Sequence, residues 1–543
     1  MAQLHPPQLA AWQPLRDHAE VMAQASNHLR QLLQDPRRPE DFSLSGGGLF
    51  YDFACQRINR ETLALLYALA DQAGIRETFR RMLGGGKVNT TENRAALHTA
   101  CRDLSTAPIF LDGRDVKPDL VRVREEIRDF AAQVHSGRIA GAGGRPFAHV
   151  VVIGIGGSYL GTEFVATALA AWAQKGIRLH FLANVDIDNF GSVAAAIDPE
   201  TTLWVVISKS YTTPETAANA ALAAEFMQSR GLDPSRHLVT VTSQGSPGDD
   251  PANPVLKTFH MFDYIGGRYS VSSAVGGVPL SLLLGYERFV EFLEGAEEMD
   301  RHAADADPRA NLPLTAALIA IWNNNFLGYP ARAVIPYADA LRKLAAHVQQ
   351  LNMESNGKAV TTGGEPPAGE TGVLIFGEPG TNAQHSFFQL AHQGRPLPIE
   401  FIGVLRPHYS EFQTATPGVS NHQELWANLL SQPLALAQGR SHVDPARRFP
   451  GNRPSSTLLL EDLSPRNVGR LLAFYEAQTV FEAFVWGINP FDQFGVELGK
   501  TMASGIRAAM AARNRDPEHT FRDQPRTVQV YLNALFHGRL PQT

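Results

Sequence analysis

The chain has 543 residues, 44% of them apolar and 19% charged, so it can bury a large core and divide into several domains; a lone small binding module and a disordered chain are excluded. Forty-eight Lys and Arg stand against 54 Asp and Glu, a net charge of −6 that gives no general attraction to nucleic acid or an anionic membrane. An anionic ligand therefore has to be held locally.

Only Cys55 and Cys101 are present, too few for a disulfide framework or a thiolate metal site, which fits a reducing compartment. The opening MAQLHPPQLAAWQPLRDH has no uninterrupted apolar export region, and no later stretch reaches the roughly 18 uncharged apolar residues of a membrane span. A soluble, cytoplasmic protein is expected, without a metal.

Through about residue 110 the chain reads as helical and connecting segments, with the amphipathic stretch 61–75 as its clearest helix. At Phe147 the texture changes. A short β-branched run (148–154) meets a glycine loop and then a helical pattern (162–174), and strands follow at 178–183, 203–208 and 237–243, with a helix at 215–228. A second series starts after the apolar segment 275–286. It has helices at 312–328, 340–353 and 381–393 and strands at 331–337, 372–377 and 399–405; long helical patterns at 468–486 and 496–512 close the chain. Alternating strands and helices predict an α/β protein with two doubly wound, mainly parallel sheets flanked by helices. The expected division is a helical lead-in at 1–110 packing with the large domain, a small α/β domain at 111–285, a large one at 286–495 and a C-terminal helical arm at 496–543.

Two loops at predicted strand ends could bind phosphate. In Gly154–Ser158 (GIGGS), glycine backbone can approach a ligand closely, and amides with a serine hydroxyl can cradle an anion. A dinucleotide fingerprint fails because Tyr159 stands where its third glycine belongs, and a P-loop fails because Thr162 replaces the required Lys. Asp186 ends the next strand as a ribose-binding acid would, so a dinucleotide site stays open, as does a plain tight turn. The second loop is Ser208–Thr216 (SKSYTTPET). Thr213 suits an N-cap, Pro214 the first helical position and Glu215 the first turn. A cap needs only Thr213; Ser208, Ser210 and Thr212 add hydroxyls, each worth about 1.5–3 kcal/mol when bonded to a charged group.

Other segments carry groups that could react. Arg268 in GGRYS is either a structural carboxylate partner or a stabiliser of developing negative charge. Glu354 in MESNGK follows a predicted helix, near Gln350, Asn356 and Lys358, and is either a surface carboxylate or a general base. His385, beside Gln384, precedes an apolar helical face and reads on its own as a partly buried histidine; Lys500, closing FDQFGVELGK, reads as a charged helix face.

Together, in this order and spacing, these segments resemble the glucose-6-phosphate isomerase family. The matching blocks are GKVNTTENRAALH (86–98), GIGGS, SKSYTTPET, GGRYS, MESNGK, GEPGTNAQHSFFQLAHQG (377–394), GNRPSSTLLL (451–460) and FDQFGVELGK (491–500). The resemblance implies two sugar-isomerase-type domains, no cofactor, and a homodimer acting on hexose 6-phosphates in glycolysis and gluconeogenesis. It implies that Ser158, Ser208, Ser210 and Thr213 hold the phosphate, with Gly157 and the backbone of Lys209, Ser210, Tyr211 and Thr212 lining it. It makes Glu354 the base that moves a proton between carbons 2 and 1 through a cis-enediol(ate), and Arg268 the stabiliser of the enediolate. His385, supplied by the neighbouring subunit, and Lys500 would open the ring, and Gln350 and Gln493 would touch substrate. SKSYTT departs from the frequent SKTFTT, which leaves the Tyr211 hydroxyl without an assigned role. The alternatives are a phosphosugar-binding regulator without turnover and an isomerase that also accepts mannose 6-phosphate.

Overall fold

A computed structural model describes residues 8–412 and 418–541. The first seven residues, where the segment read as lacking an export signal begins, lie outside this range. The chain divides into two compact units, Met1–Phe491 and Asp492–Thr543.

The opening segment is not purely helical, contrary to expectation. The expected helix is there as Arg60–Ala73, started by a capping box between Asn59 and Thr62 and stopped by Gly74 at φ 61°. Before it, Ser43–Gly46 (β1) and Leu49–Asp52 (β2) form an antiparallel hairpin turning through Gly47 and Gly48, both at positive φ. Phe110–Leu111 (β3) and Arg114–Asp115 (β4) make a second, minimal hairpin.

His149–Ile153 (β5), Arg178–Leu182 (β6), Thr202–Ile207 (β7), Leu238–Thr242 (β8) and Lys257–His260 (β9) form a parallel sheet in the order β6-β5-β7-β8-β9. Four of these strands match the expected runs. The fifth, KTFH, is short and starts with a charge, so it has no apolar run to reveal it. Alternate residues serve opposite faces. Val150, Val152, Leu203 and Val205 pack with Ile127, Phe130 and Val278, whereas Val151, Ile153, Trp204 and Val206 pack with Phe190, Ala223 and Met227. The chain passes from β5 to β6 on one side and returns to β7 on the other. The reversal between β5 and β7 is where such sheets open a ligand crevice, and the GIGGS and SKSYTT loops leave from these two strands.

Ala331–Pro336 (β10), Leu374–Phe376 (β11), Ile399–Val404 (β12) and Ser455–Leu460 (β13) are parallel, and the N-terminal hairpin extends them antiparallel in the order β1-β2-β13-β12-β10-β11. Helix Pro465–Trp486, capped by Ser464 and ended by Gly487 at φ 68°, is buried over almost its whole surface. Its charged groups are partnered: Glu476 by Arg102, which also grips Asp300, and Glu482 by Arg332. Burial, opposed by Arg102, pushes the Glu476 carboxyl up to about 7.

Three expected helices have other limits. The one placed at 340–353 runs Leu344–Asn356, so Glu354 sits in its last turn and not beyond it. The one placed at 312–328 is α-helical over Leu312–Ile321 and widens into a π turn at Trp322–Phe326; the one at 381–393 splits into a 3-10 turn, Asn382–His385, and a helix, Phe388–Gln393. The second unit holds helices Glu497–Arg515 and Arg526–His537. Among the described residues no helix is long and apolar enough to cross a membrane.

Candidate active site

The GIGGS loop leaves β5 and closes as a 3-10 turn, Gly156–Ser158, before helix Leu160–Ala168. Gly156 has φ 58°. Gly157 abuts the GGRYS loop: a Cβ there would stand 2.2 Å from the Gly267 carbonyl carbon and 2.5 Å from the Arg268 nitrogen. The Ser270 hydroxyl donates to the Gly157 carbonyl at 3.3 Å. Only glycine permits this crossing, which brings two loops separated by more than a hundred residues onto one ledge. Asp186 accepts from the Asp188 amide at 3.0 Å as the N-cap of helix Ile187–Ala196, a structural occupation for the one acid that favoured a dinucleotide.

The SKSYTT loop leaves β7 and is tied to the end of β8. The Lys209 carbonyl accepts from the Ser243 amide at 3.0 Å and the Thr242 hydroxyl at 3.2 Å, and the Lys209 ammonium reaches away to the Asp263 carbonyl at 2.9 Å. Burial lowers the Lys209 ammonium from its ordinary value, with Asp263 opposing. Tyr211 has φ 56°, and its ring lies so close over Gly248 that a Cβ there would meet it at 2.4 Å. The tyrosine, unassigned from the sequence, thus braces the loop through its ring. The Ser210 and Thr212 hydroxyls are 2.7 Å apart. Thr213 occupies the N-cap position of helix Pro214–Gln228 but makes no side-chain cap bond, contrary to the simple capping reading. The Ser208 hydroxyl is buried without a hydrogen-bond partner. A buried hydroxyl left unpaired is costly, and an anion oxygen is the acceptor that would repay it.

Arg268 and Glu354 meet across the ledge. Arg268 Nη1 is 3.1 Å from Glu354 Oε1, its Nε donates to the Ser355 hydroxyl at 2.6 Å, and its Nη2 donates to the Pro490 carbonyl. Gln350, one turn earlier on the same helix, donates to the other carboxylate oxygen of Glu354 at 2.9 Å. Its Nε2 would lie 3.1 Å from a Cβ on Gly156. Gly156, Gly157, Arg268, Gln350 and Glu354 therefore form one contiguous group. A carboxylate with one oxygen on a guanidinium and the other on an amide is fixed in direction and close to a concentrated positive charge, which suits proton transfer beside a carbonyl.

Three predicted residues remain. His385 is exposed on the 3-10 turn Asn382–His385, which is held by Tyr337 donating to Gln384 at 2.7 Å and Gln384 donating to Asn428 at 3.0 Å. Gln493 and Lys500 belong to the second unit, where Lys500 is exposed in the first turn of helix Glu497–Arg515. Among the described residues no group of three or more His, Cys, Asp or Glu is arranged to hold a metal ion. The sequence reading missed Ser355 and the Pro490 carbonyl. A serine inside MESNGK was the available signal for the first; a main-chain carbonyl leaves none.

The phosphoglucose isomerase family model matches residues 52–522. The chain belongs to this family. A glucose-6-phosphate isomerase from Desulfosudis oleivorans is 64% identical over 97% of both chains. A cytosolic glucose-6-phosphate isomerase from Spinacia oleracea is 43% identical over 94% of this chain and 92% of its own. The crystal structure of a glucose-6-phosphate isomerase from Chlamydia trachomatis, 38% identical, aligns with a TM-score of 0.89 over 98% of this chain and 100% of that one. The two sheets described above are thus the sugar-isomerase-type fold of the phosphoglucose isomerases, and the ledge between β5, β7 and the Glu354 helix lies at the crevice of the smaller one.

Proposed function

We propose that the protein interconverts glucose 6-phosphate and fructose 6-phosphate, in glycolysis and gluconeogenesis, with the ledge around Glu354 as its reaction centre. The observation that carries this is the Glu354 carboxylate held between Arg268 and Gln350, beside two loops rich in glycine and hydroxyls. In this reading the hydroxyls of Ser158, Ser208, Ser210 and Thr213 and the amides from Lys209 to Thr212 grip the phosphate, with Gly157 admitting it closely. The unpaired Ser208 hydroxyl supports that assignment. Glu354 takes the proton from carbon 2 of the open aldose and returns it to carbon 1, and Arg268 balances the charge on the cis-enediolate oxygens. His385 and Lys500 exchange protons with the ring oxygen and the carbon 1 hydroxyl during ring opening, and Gln350 and Gln493 orient the sugar. None of these steps calls for a redox or metal cofactor.

His385 would reach the centre from a second copy of the chain. The exposed Leu498 and Met502, four residues apart on helix Glu497–Arg515, give that arm an apolar edge suited to a homodimer contact. The sequence division into domains at 111–285 and 286–495, with an arm at 496–543, goes with this reading, and the cytosolic naming of the plant relatives supports a cytoplasmic location.

The test is isomerisation of glucose 6-phosphate in D2O, followed by NMR. Deuterium entering carbon 1 of fructose 6-phosphate is the expected result of a proton passing through Glu354. Turnover with no solvent label in any fraction of product would overturn the carboxylate mechanism, and absence of turnover would favour a phosphosugar-binding regulator. Mixing dissociated Glu354→Gln and His385→Ala chains should restore about a quarter of wild-type activity on random re-pairing, because each mixed dimer holds one intact site. No recovery, with dimers re-formed, would remove the shared site.

A further inference from the structure

Ser355 follows Glu354 by one position, so on a helix of 3.6 residues per turn its side chain leaves about 100° away from the carboxylate. It is fully buried, at 0% exposure, and faces the protein interior. There its oxygen accepts from Arg268 Nε at 2.6 Å and shares a hydrogen bond of 2.9 Å with the Tyr269 hydroxyl. Tyr269 is itself fixed, its ring centroid 4.7 Å from that of His98 and 5.6 Å from that of Phe491.

A guanidinium is planar, so holding two of its nitrogens fixes both its position and its rotation about the Cδ–Nε bond. In Arg268 those two are Nε, on Ser355, and Nη2, on the Pro490 carbonyl; Nη1 is then aimed at Glu354. We propose that Ser355 is a positioning residue for the isomerisation: its hydroxyl, braced by Tyr269, sets the plane of the Arg268 guanidinium against the carboxylate on the preceding residue. The same helix turn thus carries the base and the pin that aligns the base's cationic partner, so base and charge stabiliser keep register with each other. This rests on the role given to Arg268 above.

Without the hydroxyl, Nε loses this acceptor and the guanidinium plane is set less tightly against Glu354. The Ser355 hydroxyl is bonded to Arg268 and Tyr269, outside the two loops assigned to the phosphate, so substrate binding should be spared. A misplacement of about 1 Å in such a group can cost about 10²-fold in rate. The experiment compares Ser355→Ala in the wild-type and in the Arg268→Ala backgrounds, reading kcat, KM and the thermal midpoint. The expected result is a loss of about 10- to 100-fold in kcat with KM within about threefold in the first background, and almost no further loss in the second, since a residue acting through Arg268 has nothing left to position. A kcat within about twofold of wild type, or an equal loss in both backgrounds, would overturn the proposal. Equal loss is the result a purely structural serine would give. An Arg268→Ala single variant with undiminished kcat would instead overturn the reading of Arg268 on which it rests.

Discussion

Arg268 and Glu354 sit 3.1 Å apart at very different depths, the guanidinium 2% exposed and the carboxylate 25%. The buried partner is the one held by fixed neighbours, and the accessible one is left to meet a ligand. Glu354→Gln keeps the shape and removes the base. Its kcat should fall roughly 10²- to 10⁴-fold, about 3–5 kcal/mol of barrier, while KM changes little. Steady-state kinetics in both directions checks this, and a variant with near wild-type turnover would take Glu354 out of its role.

Ser208 offers a cleaner separation of binding from stability. Its hydroxyl is buried and unpaired, so Ser208→Ala removes an uncompensated polar group and should leave the thermal midpoint level or slightly raised. If the hydroxyl meets a phosphate oxygen, competitive inhibition by a phosphorylated sugar acid should weaken about tenfold, the equivalent of about 1.4 kcal/mol. Unchanged inhibition would place the phosphate elsewhere.

Gly157 tests the ledge itself. A Cβ would fall 2.2 Å from the Gly267 backbone, with no flexible side chain there to yield, so Gly157→Ala must push the two loops apart. Overpacking of this kind costs about 1–3 kcal/mol, and because Arg268 follows Gly267 directly, kcat/KM should fall further than stability alone accounts for. Urea unfolding and kinetics on the same preparation separate the two effects. A stable variant of full activity would mean that the loops need not touch.

How much of this was legible in the sequence depended on the range of the interactions. The strands leading into GIGGS and SKSYTT were visible because each is a β-branched or apolar run stopped by glycine or hydroxyls, which are local signals. The hairpin at 43–52 was not. SLSG is four residues with a single apolar side chain, too short for a period to show, and its partner strand β2 is fixed against Thr457–Leu459, some four hundred residues onward. Glu354 stands out in MESNGK, but the helical pattern fades at Met353 because the Glu, Ser and Asn that follow add no apolar position to it. In the structure Asn352 and Asn356 continue the helix by donating to the buried Glu482 at 2.7 and 3.0 Å. An asparagine pair four residues apart gives no hint from sequence that a carboxylate more than a hundred residues away will receive it.

His347 lies two turns before Glu354 on the same helix, stacked on Phe164 with 5.5 Å between ring centroids, and burial lowers its pKa from 6.5 to about 4. The folded protein keeps this imidazole neutral where the unfolded chain protonates it. Between about pH 6.5 and 4 the unfolded state therefore binds more protons, and stability is lost as the pH falls through that window. A displacement of this size amounts to about 3 kcal/mol, all of it present above pH 6.5. His98, also pushed down by burial with Arg102 adding to the effect, acts in the same direction. His347→Phe should consequently make the acid limb of thermal midpoint against pH shallower without abolishing it, while leaving the plateau near neutrality almost level. Superimposable acid limbs for the variant and the wild type would show that His347 is protonated alike in the folded and unfolded chains.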